Sequence, residues 1–120
     1  MGLTLNYSWL DHDVREDLAG SPPLVANSPS HAWNLRWTYT DERISAALHF
    51  RWSDSFRWTE AVVNGIVPSY SVLNLDASYQ ISDSWEVGIN VSNLLDNEHF
   101  EFFSGDLLGR YALVNVGFSW

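Results

Sequence analysis

Six times along its 120 residues the chain alternates apolar and polar side chains with a period of two. Successive side chains of a strand point to opposite faces, so each run reads as a β-strand with one apolar and one polar face. The runs are "LTLNYSWL", "AWNLRWTYT", "ISAALHFRWS", "SVLNLDASYQI", "WEVGINVS" and "YALVNVGFSW". In the third, Ile44, Ala46, Leu48, Phe50 and Trp52 alternate with Ser45, His49, Arg51 and Ser53. In the last, Val114, Val116, Phe118 and Trp120 alternate with Asn115, Gly117 and Ser119. No apolar repeat of 3.6 residues runs to useful length. The expected fold class is all-β, an antiparallel up-and-down meander of about six long strands.

Each run spans about nine or ten residues, the length a tilted strand needs to cross a bilayer. An ordinary globular strand is nearer five or six residues. The polar faces are mostly small and uncharged, with a few charges such as Arg36, Arg51, Asp76 and Glu86. The connections alternate as well. Long stretches, "DHDVREDLAGSPPLVANSPSH", "DSFRWTEAVVNGIVPSY" and "LLDNEHFEFFSGDLLGR", take turns with the short "DER" and "SDS". Long outer loops and short periplasmic turns are the asymmetry of an outer-membrane barrel.

Aromatics make up 15% of the chain, including seven Trp, and their placement has a pattern. Tyr39, Tyr79, Trp85 and Trp120 sit beside short turns or at the last residue, whereas Trp9, Trp33 and Trp52 sit beside the long connections. On antiparallel strands these form two belts, as expected where an amphipathic ring bridges lipid and water. A soluble core filled by the same rings is the plainer alternative, but a core gives no reason to sort them to both ends. Trp37 lies nearer the middle and fits either reading.

Composition narrows the partners. The formal net charge is -9, from 15 acids against six Arg, which excludes the basic footprint that nucleic-acid binding needs. Without Cys there is neither a disulfide framework nor a thiolate metal site. No run approaches 18 apolar residues, and no export signal follows Met1. Six strands are too few to close a single-chain membrane barrel, and open edges are not tolerated in lipid. The chain is therefore expected to belong to a longer protein, or to an oligomeric barrel. The missing signal favours the former, with Met1 an arbitrary start.

Residues from about Pro68 onwards resemble the C-terminal end of TonB-dependent outer-membrane receptors. The resemblance rests on "PSYSVLNLDASYQISDSW", like the penultimate strand and turn, and on "VSNLLDNEHFE", like the Asn-Leu-Phe-Asp box with its aromatic. "GRYALVNVGFSW" completes it, like the closing Gly-Arg and terminal strand. Asn93, Leu94, Asp96, Gly109 and Arg110 carry the family motif. Leu95 stands where Phe is usual, His99 where Tyr is usual, and Asn74 in place of a common Asp. The resemblance implies that residues 1–120 are the C-terminal portion of a receptor barrel in the outer membrane of a Gram-negative bacterium. The plug, the earlier strands and the energy-coupling box would lie upstream. It implies Val116, Phe118 and Trp120 as the signal read by the barrel-assembly machinery. It also implies membrane lipid, lipopolysaccharide and, through the absent N-terminal part, the TonB complex as partners.

Candidate sites are few. Arg36, His49 and Arg51 share the inward face of strands two and three, where they could meet an anionic substrate or an acidic plug; ordinary lumen residues in contact with water are the plainer reading. "DHD" (Asp11, His12, Asp13) and "DNEHFE" (Asp96, Glu98, His99, Glu101) contain metal-ligand types, but solvated loop charge accounts for both, and no metal or other cofactor is expected. Asn93 to Asp96 is expected to close a strand-to-loop junction through local backbone bonds. No nucleophile–base pair, phosphate loop or carboxylate pair suggests an enzyme. Three functions remain open. They are an active outer-membrane transporter of a scarce nutrient such as a siderophore-like metal chelate, a passive porin-type barrel, and a soluble β-barrel that binds a ligand.

Overall fold

All six alternating runs become strands of one antiparallel sheet. The computed structural model describes residues 1–11, 27–60 and 63–120. In chain order the strands are β1 (Gly2–Trp9), β2 (His31–Thr40), β3 (Ile44–Ser53), β4 (Phe56–Glu60), β5 (Val63–Val67), β6 (Tyr70–Ser82), β7 (Trp85–Ser92) and β8 (Tyr111–Phe118). The sheet order β1-β2-β3-β6-β7-β8 is an up-and-down meander. Between β3 and β6 the chain departs from the sequence expectation of a plain loop. There β4 and β5 form a separate hairpin, Phe56 opposite Val67 and Trp58 opposite Gly65. Asn27 fastens β4 to the first long connection, its side chain donating to Thr59 O at 2.9 Å and accepting from Thr59 N at 2.8 Å.

The register puts like against like through most of the sheet, with exceptions such as Arg51 opposite Val72 and Asn90 opposite Leu113. On one face Leu5 lies opposite Leu35, Leu35 opposite Phe50, Leu48 opposite Leu75, Leu75 opposite Val91 and Ile89 opposite Val114. On the other, Asn6 lies opposite Asn34, Arg36 opposite His49, His49 opposite Asn74 and Asp76 opposite Asn90. A slip of one residue in any pair would mix the two faces, so the pattern itself fixes the register.

The apolar face is not a core. Among the described residues only Val67, Val72 and Val91 are buried apolar side chains, while Leu3, Leu5, Val114 and Val116 are 59–70% exposed. The radius of gyration is 19.8 Å and the extents are 68 × 27 × 26 Å, where a compact 120-residue domain would have a radius near 14 Å. A chain with one apolar face and no partner layer on it cannot be a water-soluble sheet of ordinary design.

The aromatic belts follow from the register. Trp33 pairs with Tyr7 and Trp52 at the end carrying the long connections. Tyr79 pairs with Ile44, and Trp85 with Phe118, at the end carrying the short turns. Ile44 and Trp52 bound β3's apolar face and lie about 27 Å apart along the strand. Tilt shortens that span toward the 25 Å or so of a barrel's apolar band. The turn end is pinned locally. Asp41 Oδ1 accepts from Glu42 N at 2.8 Å, and Ser119 N donates to Ser84 O at 2.9 Å. A bulge between Gln80 and Ser82 shifts the β6–β7 register just before its last pair, Ser82 opposite Trp85.

Candidate functional site: the polar face and its outer mouth

Two arginines and a histidine stand on the polar face. Arg36 on β2 lies directly opposite His49 on β3, and Arg51 follows two residues along β3, opposite Asn34 and Val72. Arg36 borders a groove of about 400 Å³ whose other walls include Asp76, Ser78, Gly88, Asn90 and Asn115. The Asn115 amide lies against Gly88 there, and a Cβ at that position would stand 2.6 Å from Asn115 Oδ1, so that side chain would have to turn aside. Among the described residues neither Arg36 nor His49 forms an ion pair, whereas Arg51 pairs with Glu101.

The Arg51–Glu101 pair belongs to a cluster at the long-connection end of the sheet. Glu101 lies on the connection between β7 and β8. Arg51 Cζ stands 5.8 Å over the Tyr70 ring, and the same ring stacks on His99 with centroids 4.6 Å apart. His99 is 7% exposed, and its Nε2 is buried with no hydrogen-bond partner, 3.6 Å from Glu101 Oε1. A His99–Leu108 bridge closes the connection on itself. Beyond it, Phe102 reaches Trp58 of the hairpin at 6.0 Å, and Phe103 lies where a Cβ on Gly65 would be, 2.0 Å away. The hairpin and the last connection thus pack together, with an apolar cavity of about 250 Å³ between Ile66, Pro68, Phe100 and Phe103.

Asn93 holds the root of this connection. It adopts a left-handed backbone, φ 55°, which Asn tolerates better than most residues, and it is 2% exposed. Its N–H donates to Asn74 Oδ1 at 3.0 Å, its Nδ2 to Asn97 O at 3.0 Å, and its Oδ1 accepts from Asn97 N at 3.0 Å. Leu94 N donates to Leu73 O at 2.7 Å. Asp96, also left-handed at φ 56°, accepts from Arg110 N at 2.9 Å and faces the Arg110 guanidinium at 3.5 Å. One short box therefore ties the ends of β7, β6 and β8 together. Gly109 shows no comparable demand, since a Cβ there would lie 3.7 Å from Asp96 Oδ1.

The remaining sequence candidates lie elsewhere. Val116 and Phe118 are on the apolar face of β8, and Trp120 lies two residues past the strand, fully exposed, its ring 6.0 Å from that of Phe118. The structure does not bring them to the polar face. Of the two acidic clusters, His12 and Asp13 fall outside the described residues. In the other, Asp96 turns to Arg110 while His99 and Glu101 turn to Arg51 and Tyr70, and among the described residues no three ligand-type groups converge. Sequence reasoning missed Tyr70 and Asn97 altogether. It treated Asn74 as a mere departure from Asp, whereas Asn74 caps Asn93. The alternation places Asn74 on the polar face but gives no sign of its bond to Asn93, and Asn97 lies beyond any periodic run.

A sheet apolar throughout one face, polar on the other and ringed by aromatics at both ends is a segment of a transmembrane β-barrel wall. The chain belongs to the family described as TonB dependent receptor-like, beta-barrel, whose model matches residues 1–94, and that family resides in the Gram-negative outer membrane. It is similar in fold to the crystal structure of the ferric-catecholate import receptor Fiu from Escherichia coli K12 in its closed form. The TM-score is 0.66 and the identity 21%, over 97% of this chain and 18% of the receptor. The chain thus spans under a fifth of that receptor's length. Comparison with curated proteins gives no significant match.

Proposed function

We propose that the chain is the C-terminal wall of an outer-membrane active transporter, driven by the TonB complex, that imports a scarce nutrient such as a siderophore-like metal chelate. The observation that carries this is the two-faced sheet. Its outer face suits hydrocarbon from belt to belt, while its inner face offers Arg36, His49 and Arg51 to a solute. Three positive or potentially positive groups on one strand pair favour an anionic solute. The family membership supports coupling to TonB, which would act through an N-terminal part and plug outside this chain. Val116, Phe118 and Trp120 would serve the barrel-assembly machinery, and the outer belt would meet lipopolysaccharide.

The test is energised uptake. Cells carrying the whole receptor are offered a panel of radiolabelled ferric chelates with and without a protonophore. Uptake of at least one chelate that collapses with the protonophore is expected. Uptake indifferent to the protonophore would mark a passive porin and end the active-transport reading.

A further inference from the structure

Glu101 stands where an incoming anion would go. Its carboxylate already engages Arg51, the innermost member of the outer-mouth cluster. The pair joins β3 to the β7–β8 connection across 50 residues of sequence.

That carboxylate is weakly held. His99 Nδ1 donates to Asn97 O at 2.8 Å, since a carbonyl oxygen only accepts. His99 Nε2 is buried without a hydrogen-bond partner and lies 3.6 Å from Glu101 Oε1, the same oxygen that meets Arg51. Among the described residues Arg51 is the one side chain that hydrogen-bonds Glu101, and the two are 38% and 36% exposed. A part-exposed carboxylate held by a single partner yields to a competitor more readily than one satisfied on every side.

We propose that Glu101 is an internal competitor for the solute's anionic group. An anion that takes Arg51 expels Glu101 and unfastens the stretch from Phe100 to Leu107. Glu101 is therefore a specificity-determining residue. A ligand able to grip the guanidinium with two oxygens displaces it, and a singly contacting anion such as chloride does not. The proposal rests on the anionic-solute reading above.

The test uses the whole receptor in outer-membrane vesicles, with chymotrypsin cleavage after Phe100, Phe102 and Phe103 as the readout. Citrate is the probe, and sodium chloride at equal ionic strength controls for screening. In the wild type, citrate should accelerate cleavage several-fold and sodium chloride should not. Glu101→Gln should be cut rapidly without citrate and should bind citrate about tenfold more tightly, by tryptophan fluorescence. The exchanged pair Arg51→Glu with Glu101→Arg should protect the connection again yet ignore citrate. If Glu101→Gln is cut as slowly as wild type, or if citrate binds through Arg51 without changing cleavage, the competitor role is wrong. If wild type and Arg51→Gln bind citrate equally, or neither binds it, the anionic-solute reading fails instead, and this proposal with it.

Discussion

Leu48 offers the sharpest test of which face meets lipid. It lies on β3, four residues from Ile44 at the turn end and four from Trp52 at the loop end. That places it about 13 Å along the strand from either belt, near the bilayer midplane. Its cross-strand neighbours are Trp37 and Leu75, both on the apolar face. Leu48→Arg puts a guanidinium into hydrocarbon and should cost about 2 to 4 kcal/mol, roughly 30- to 700-fold in the folding equilibrium. The adjacent residue is the control. Ala47 lies on the polar face, opposite Thr38 and Asp76. Ala47→Arg places its charge in water beside a carboxylate and should change stability by less than about 1 kcal/mol. Urea unfolding of the refolded barrel in lipid vesicles, followed by tryptophan fluorescence, measures both. Equal losses, or the greater loss at Ala47, would refute the assignment of faces.

Other consequences are as direct. Asn93→Ala should cost about 2 to 3 kcal/mol in the same assay, because it strands buried backbone groups at the root of the last connection and places Ala in a left-handed conformation. Gly65→Ala should push Phe103 out of its seat and separate the hairpin from the β7–β8 connection. Adding Phe103→Ala should recover part of the loss, a non-additivity that a double-mutant cycle would show. A protease site at Ser104 should be cut on intact cells and one at Asp83 should not; the reverse would invert the topology. Trp120→Phe should leave outer-membrane levels nearly unchanged while deletion of Trp120 lowers them, with the refolded deletion mutant melting close to the parent. Normal insertion of the deletion mutant would reduce Trp120 to an interfacial anchor.

The strands were legible because lipid imposes a demand on every second residue. β3 and β7 begin and end where the alternation does, Ile44–Ser53 and Trp85–Ser92. Outside the apolar band that demand disappears, and so did the signal. The β4–β5 hairpin alternates over only five residues a side and has no lipid face, so Phe56 and Trp58 read as loop aromatics. The box around Asn93 was legible as a strand-to-loop junction because Asn and Asp make local backbone bonds. Its reach to Asn74, 19 residues away, was not. The Arg51–Glu101 contact joins a strand residue to a loop residue with no periodic relation between them. Only the folded connection brings Glu101 over the polar face.

The central claim is that one face of this sheet lies in the membrane and the other lines a wet interior. The chain has no Cys, so single cysteines placed one at a time from Ile44 to Ser53 are its only thiols, and they can be spin-labelled in lipid in the whole receptor once any Cys outside the chain is replaced by Ser. Collision with oxygen, which concentrates in hydrocarbon, and with a water-soluble nickel chelate reports the surroundings of each label. Oxygen maxima are expected at positions 44, 46, 48, 50 and 52 and nickel maxima at 45, 47, 49 and 51, with Ser53, which is buried, shielded from both. A profile without this two-residue period, or with its phase reversed, would contradict the claim.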